Sequence, residues 1–126
     1  VKKSKDTYIS GGFVEMKYLT NTIHNFTKKE WQFKDNQIKA FNECIAFLKK
    51  KKINVILVYA PITKGLYQSY SNNDFVDRFF NQYQLEYYNF NHTIKLNDTL
   101  DFYDSHHLNS IGVKKFNKVL LKTIKL

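Results

Sequence analysis

The stretch Ile53-Asn54-Val55-Ile56-Leu57-Val58-Tyr59-Ala60-Pro61 is nearly continuous in apolar residues, rich in β-branched side chains and closed by proline. That composition predicts a strand covered on both faces in a parallel sheet. Just before it, Ile38, Phe41, Cys44, Ile45 and Leu48 recur at three- and four-residue spacing, a helix with Asp35 as its cap. Lys49 to Lys52 close that helix where its dipole favours cations. The pattern then repeats. Ser71-Asn72-Asn73-Asp74 resembles a capping box, and Phe75, Val76, Phe79, Phe80 and Tyr83 form the inward face of a helix over 72–84. Leu85 to Phe90 reads as a short strand. Ser110 caps a last helix with Val113, Phe116, Leu120 and Ile124 inward and Lys114, Lys115, Lys118 and Lys122 outward. Alternating helices and buried strands are the pattern of an α/β domain with a mostly parallel sheet. A doubly wound sheet has about 4–6 strands, so two firm strands and a third candidate read as the C-terminal half of a larger fold.

Residues 1–34 carry less pattern. Ser10-Gly11-Gly12 signals a turn, Phe13 to Leu19 a short strand, and Thr20 to Lys34 an irregular segment. No linker, repeat or low-complexity tract divides the 126 residues, which read as one domain or part of one. With 17% aromatic residues the chain has the means to bury a core and is not disordered. A single cysteine, Cys44, excludes an internal disulfide and a cysteine-based zinc site; on the apolar helix face it reads as a small core residue. No apolar run nears the roughly 20 residues of a membrane helix, and Val1 to Asp6 does not lead into a signal peptide. The first residue is not Met, which suits a piece of a longer product. The net charge is +9, yet Arg78 is the sole arginine. Surfaces that read bases or grip phosphates favour arginine, so no nucleic-acid partner is expected and the lysines read chiefly as a solvated surface.

Reactive side chains concentrate in Asp101-Phe102-Tyr103-Asp104-Ser105-His106-His107-Leu108-Asn109, in the loop before the last helix. Across a turn, the Asp104 carboxylate can accept a hydrogen bond from His107 Nδ1, leaving Nε2 free to take a proton from a hydroxyl nucleophile. His106 is the rival base, but neighbouring side chains of an extended segment point apart. Asp101 reads as a loop residue that binds backbone NH groups. A metal held by Asp101, Asp104, His106 and His107 is disfavoured because the spacing lacks the helical HExxH form. His24 and His92 have no partner in sequence. Most tyrosines fall on core faces; Tyr67 and Tyr70, in the loop after Pro61, stand where they can line an acyl or sugar pocket.

Asp104-x-x-His107, continued as Leu108-Asn109 and Gly112 into an amphipathic helix, resembles the last conserved block of SGNH (GDSL-type) hydrolases. The phrase 101–109 is especially similar to the bacterial branch of DltD-like and polysaccharide O-acyl-transfer proteins. Val55 to Pro61 is similar to the strand before the penultimate helix of that branch, and the likeness runs in order over residues 35–126. The resemblance implies a flavodoxin-like, three-layer sandwich and a Ser-His-Asp esterase or acyltransferase with no metal or organic cofactor. His107 would be the base and Asp104 its orienting acid. The substrate would be a small-molecule or polysaccharide ester, and the parent protein a bacterial one, extracytoplasmic and membrane-anchored. The Gly-Asp-Ser nucleophile block and the Gly-x-Asn-Asp oxyanion block of that family do not occur here. Ser10 lacks the Gly-Asp lead-in, so the nucleophile is expected upstream of Val1 and the chain alone is expected to be inactive. The alternative is a non-catalytic basic α/β module that binds anionic polymer or a membrane surface.

Overall fold

The computed structural model describes residues 6–9, 13–16 and 19–124. The expected turn at Ser10-Gly11-Gly12, and Ser10 itself, lie outside the described residues. Strands β1 (Asp6–Ile9) and β2 (Phe13–Met16) pair antiparallel, Asp6 opposite Met16 and Ile9 opposite Phe13. The sequence pattern marks the second of these strands but not the first. Residues 19–34 are irregular apart from a bridge between Lys29 and Tyr70.

The α/β character holds in the rest of the chain. Helix α1 (Asp35–Lys50) leads to β3 (Ile56–Tyr59), short α2 (Lys64–Ser69), α3 (Asn73–Asn81), β4 (Glu86–Asn89) and finally α4 (Ser110–Thr123). β3 and β4 pair in parallel, Ile56 with Glu86 through Tyr59 with Asn89, so α2 and α3 form the crossover between them. Side chains alternate along each strand, which puts Leu57, Tyr59, Tyr87 and Asn89 on one face. There Tyr87 meets Phe80 of α3, and Phe80 meets Phe41 of α1 at 5.6 Å between ring centres. Phe33 enters the same cluster against Phe75, Phe79 and Phe80. On the other side Phe90, 1% exposed just past β4, packs edge-on against Phe116 of α4 at 5.1 Å. The buried hydrophobic residues are Ile45, Leu66, Val76, Phe90, Phe102 and Ile124, joined by the buried polar residues Thr63, Ser69, Asp101 and Asn109.

Several expectations are corrected. β3 is not covered on both faces: Val58 is 41% exposed, and among the described residues β3 is bonded to β4 alone. Cys44 is exposed, because the buried line of α1 runs through Ile45 instead. Asp35 is the first residue of α1, with Lys34 at the cap position, and Asn72, not Ser71, precedes α3; neither cap residue makes a side-chain capping bond. α4 is capped by Asn109, whose Oδ1 accepts from the backbone NH groups of Ile111 and Gly112 at 3.0 Å each. Tyr67 lies on α2, not in a loop, and Tyr70 sits at its C-terminal end.

Candidate functional site

Residues 101–109 form a small hairpin. Asn109 N donates to Asp101 O at 3.0 Å, Phe102 bridges Leu108, and Tyr103 N donates to His107 O at 2.9 Å. The tip is Asp104-Ser105-His106. It is tied down from outside by Thr63, 2% exposed, whose backbone NH and hydroxyl both donate to Ser105 O at 3.1 and 3.2 Å. Thr63 stands just past the carboxyl end of β3, so the hairpin tip sits at the sheet edge where α/β proteins place their sites.

At that tip Asp104 and His107 meet. Both carboxylate oxygens lie 2.9 Å from His107 Nδ1, and Oδ1 also accepts from the backbone NH groups of His106 and His107 at 2.7 and 2.8 Å. Partial burial pushes the Asp104 carboxyl upward, but these backbone and imidazole donors outweigh it and hold the group below its ordinary value. A carboxylate on Nδ1 selects the tautomer with its proton there and presents Nε2 as a base. The His107 side chain is 68% exposed, and among the described residues its Nε2 makes no hydrogen bond, so a hydroxyl could approach it. His106 is exposed and shares only its backbone NH with Asp104.

Asp101 is fully buried. Its Oδ2 accepts from the Asn97 backbone NH at 2.8 Å, the role expected of it, but both oxygens also face Lys115 Nζ at 2.7 and 2.9 Å. Lys115 stays half exposed, as its outward placement suggests, while its ammonium end reaches the buried Asp101 carboxylate. Asn109 completes the base of the hairpin, donating from Nδ2 to the carbonyls of Leu19, Leu100 and Phe102.

Tyr67 and Tyr70 are not brought against the dyad. Tyr70 stacks on Trp31 at 3.8 Å between ring centres, with Lys29 Nζ 4.5 Å from the centre of the Tyr70 ring. The Tyr67 hydroxyl belongs to a second polar group that the sequence did not mark. It accepts from Asn89 Nδ2 at 3.2 Å and lies 3.0 Å from His92 Nε2, which also faces Asp77 Oδ2 at 3.3 Å. Asp77 Oδ1 accepts from Tyr87 and Asn89. Burial raises Tyr67 above an ordinary phenol, an effect eased by Asn89 and reinforced by the Asp77 charge, so this hydroxyl is no activated nucleophile. The available signal was position: Asn89 ends β4, and Asn91 and His92 follow it at its carboxyl end.

Between these residues and the loop after β3 opens a groove of about 680 Å³, lined by Pro61, Lys64, Tyr67, Asn91, His92 and Lys95 among others. Phe102, from the dyad hairpin, forms part of its wall. Comparisons with protein-family models, with curated proteins and with solved structures found no match. Among the described residues no three His, Cys, Asp or Glu side chains converge as metal ligands, and no helix is long and apolar enough to cross a membrane.

Proposed function

We propose that this chain is the C-terminal portion of an SGNH-type esterase or acyltransferase acting on acyl esters, of a carbohydrate or a lipid. The observation that carries the reading is the Asp104 carboxylate held against His107 Nδ1 with Nε2 open. His107 takes the proton of a serine hydroxyl as that oxygen attacks the ester carbonyl, and Asp104 steadies the imidazolium that forms. The proton passes to the leaving alcohol, and an acyl-enzyme remains. Water or a sugar hydroxyl, deprotonated by the same Nε2, then releases the acyl group.

The serine comes from sequence upstream of these residues, which contain no Gly-Asp-Ser block. Two further features support a larger sheet. β3 is bonded on one edge only among the described residues, and the aromatic cluster leaves an apolar groove of about 350 Å³ against Leu57, Val58 and Tyr59. A three-layer sandwich continued by upstream strands would cover both. The groove beside Tyr67, at the carboxyl ends of β3 and β4, is where the alcohol or acyl part of the ester would lie.

Turnover of p-nitrophenyl acetate by this chain and by a longer one extended upstream, each with and without His107→Ala, tests the proposal. Activity confined to the longer chain and lost with His107 is the expected result. Activity unaffected by His107→Ala sinks it. Salt-sensitive binding to an anionic polymer, with no turnover in either chain, would favour the non-catalytic basic module instead.

A further inference from the structure

We propose that the Lys115–Asp101 ion pair is a positioning device for the Asp104–His107 dyad, an assignment that rests on the catalytic reading of that dyad. Lys115 touches neither dyad residue; it acts through Asp101. The path is short. Asp101 O and Asn109 N make the base rung of the hairpin, and His107 O and Tyr103 N make the rung next to the tip. The position of Asp101 therefore sets how the first strand of the hairpin lies against the second, which runs through Asn109 into α4.

The surroundings of Asp101 leave it one position. Its Oδ1 is held by Lys115, and its Oδ2 by Lys115 and by the Asn97 backbone NH. Gly112, three residues before Lys115 on the same side of α4, lets the helix approach so closely that a Cβ there would lie 2.0 Å from Asp101 O. The Asp101 side chain is 1% exposed, while that of Lys115 is 51% exposed. Burying a carboxylate is costly unless it is paired and fully hydrogen-bonded. An apolar pair would fill the same space without direction. The ion pair instead fixes one rotamer, one register of α4 against the hairpin, and with it the separation of Asp104 from His107.

The test reads the His107 ring directly, by ¹⁵N-edited NMR of its tautomer in mildly alkaline buffer. The unaltered 126-residue chain should show a single Nδ1–H tautomer, and Asp104→Asn, the control, should lose it. Lys115→Gln should keep the far-UV circular dichroism spectrum while His107 falls into a tautomer mixture, and Lys115→Arg should restore the single form. A folded Lys115→Gln protein that keeps the Nδ1–H tautomer as fully as the unaltered chain overturns the proposal. Should Lys115→Gln not fold, the double variant Asp101→Asn/Lys115→Gln, which leaves no lone buried charge, is read in the same way. Hydrogen exchange in the unaltered chain gives a third reading: the His106 and His107 amides should open in step with that of Asn109 at the hairpin base. Exchange at the tip independent of the base also overturns the proposal. No ester is turned over in these measurements, so their failure is distinct from failure of the enzymatic reading.

Discussion

The Asp104 carboxylate holds His107 twice, by its ring Nδ1 at 2.9 Å and by its own backbone NH at 2.8 Å. The same oxygen that closes the turn thus orients the imidazole, so local chain geometry and candidate chemistry share one group. Asp104→Asn retains a turn acceptor but no longer enforces the Nδ1–H tautomer. On the proposed ester hydrolysis by a chain extended upstream, kcat should fall by a factor on the order of 10⁴, as befits loss of tautomer control in a Ser-His-Asp triad. A loss below about tenfold in steady-state kinetics would mean that Asp104 is a turn residue only.

Asp104 also gives the fold an acid sensitivity. Its folded pKa is depressed below the unfolded value of about 3.9. Its contribution is therefore complete above that unfolded value and disappears as pH falls through the folded one. Urea midpoints measured below about pH 5 should decline less steeply for Asp104→Asn than for the unaltered chain. Parallel acid limbs would show that the carboxylate has no net preference for its folded surroundings.

The glycines of α2 and α4 predict opposite responses. A Cβ at Gly112 would lie 2.0 Å from the Asp101 carbonyl oxygen, a backbone atom that cannot swing aside. Gly112→Ala should cost at least the ~1–3 kcal/mol typical of overpacking, and it should disturb the dyad hairpin. At Gly65 the nearest atoms to a Cβ are 3.6 Å away, an ordinary contact. Gly65→Ala should be neutral or stabilise by about 0.4–1 kcal/mol through the unfolded chain. Urea denaturation of the two variants decides it; equal destabilisation would contradict the close approach of α4 to Asp101.

What was legible in the sequence was whatever depends on near neighbours. The 3.6-residue period found α1, α3 and α4, the β-branched run found β3, and the three-residue spacing of Asp104 and His107 found a contact that closes within one turn. Long-range pairing left no such trace. His92 meets Asp77 across 15 residues and Tyr67 across 25, and Lys115 meets Asp101 from a helix face whose lysines otherwise look alike. Each cap lies one residue off the expected position: Asn72 and Asn109 are as suited to capping as the neighbouring Ser71 and Ser110, and before Asp35 the helix simply starts at Lys34 with no side-chain cap. Val58 is exposed despite its apolar run, because such a run reports what a strand can cover, not whether a covering layer lies within the same stretch of chain.

Two tyrosines facing the same sheet side should respond in opposite directions to loss of the hydroxyl. Tyr59 OH is buried without a hydrogen-bond partner among the described residues, and burial, with the nearby Tyr67, Tyr70 and Asp77, pushes its pKa well above the ordinary phenol range. An unpaired buried hydroxyl costs about 1–3 kcal/mol of desolvation with nothing to offset it. Tyr59→Phe keeps the ring against Trp31 and Tyr67 and removes that cost, so it should stabilise the chain by about 1 kcal/mol. Tyr87 OH instead donates to Asp77 Oδ1 at 2.7 Å, a charge-assisted bond. Tyr87→Phe should destabilise by roughly 1.5–3 kcal/mol, because Asp77 then loses a donor it shares with the Asn89 and His92 network. Paired urea melts of the two variants give the signs directly. A loss of stability for Tyr59→Phe comparable to that for Tyr87→Phe would show that the Tyr59 hydroxyl is bonded in solution.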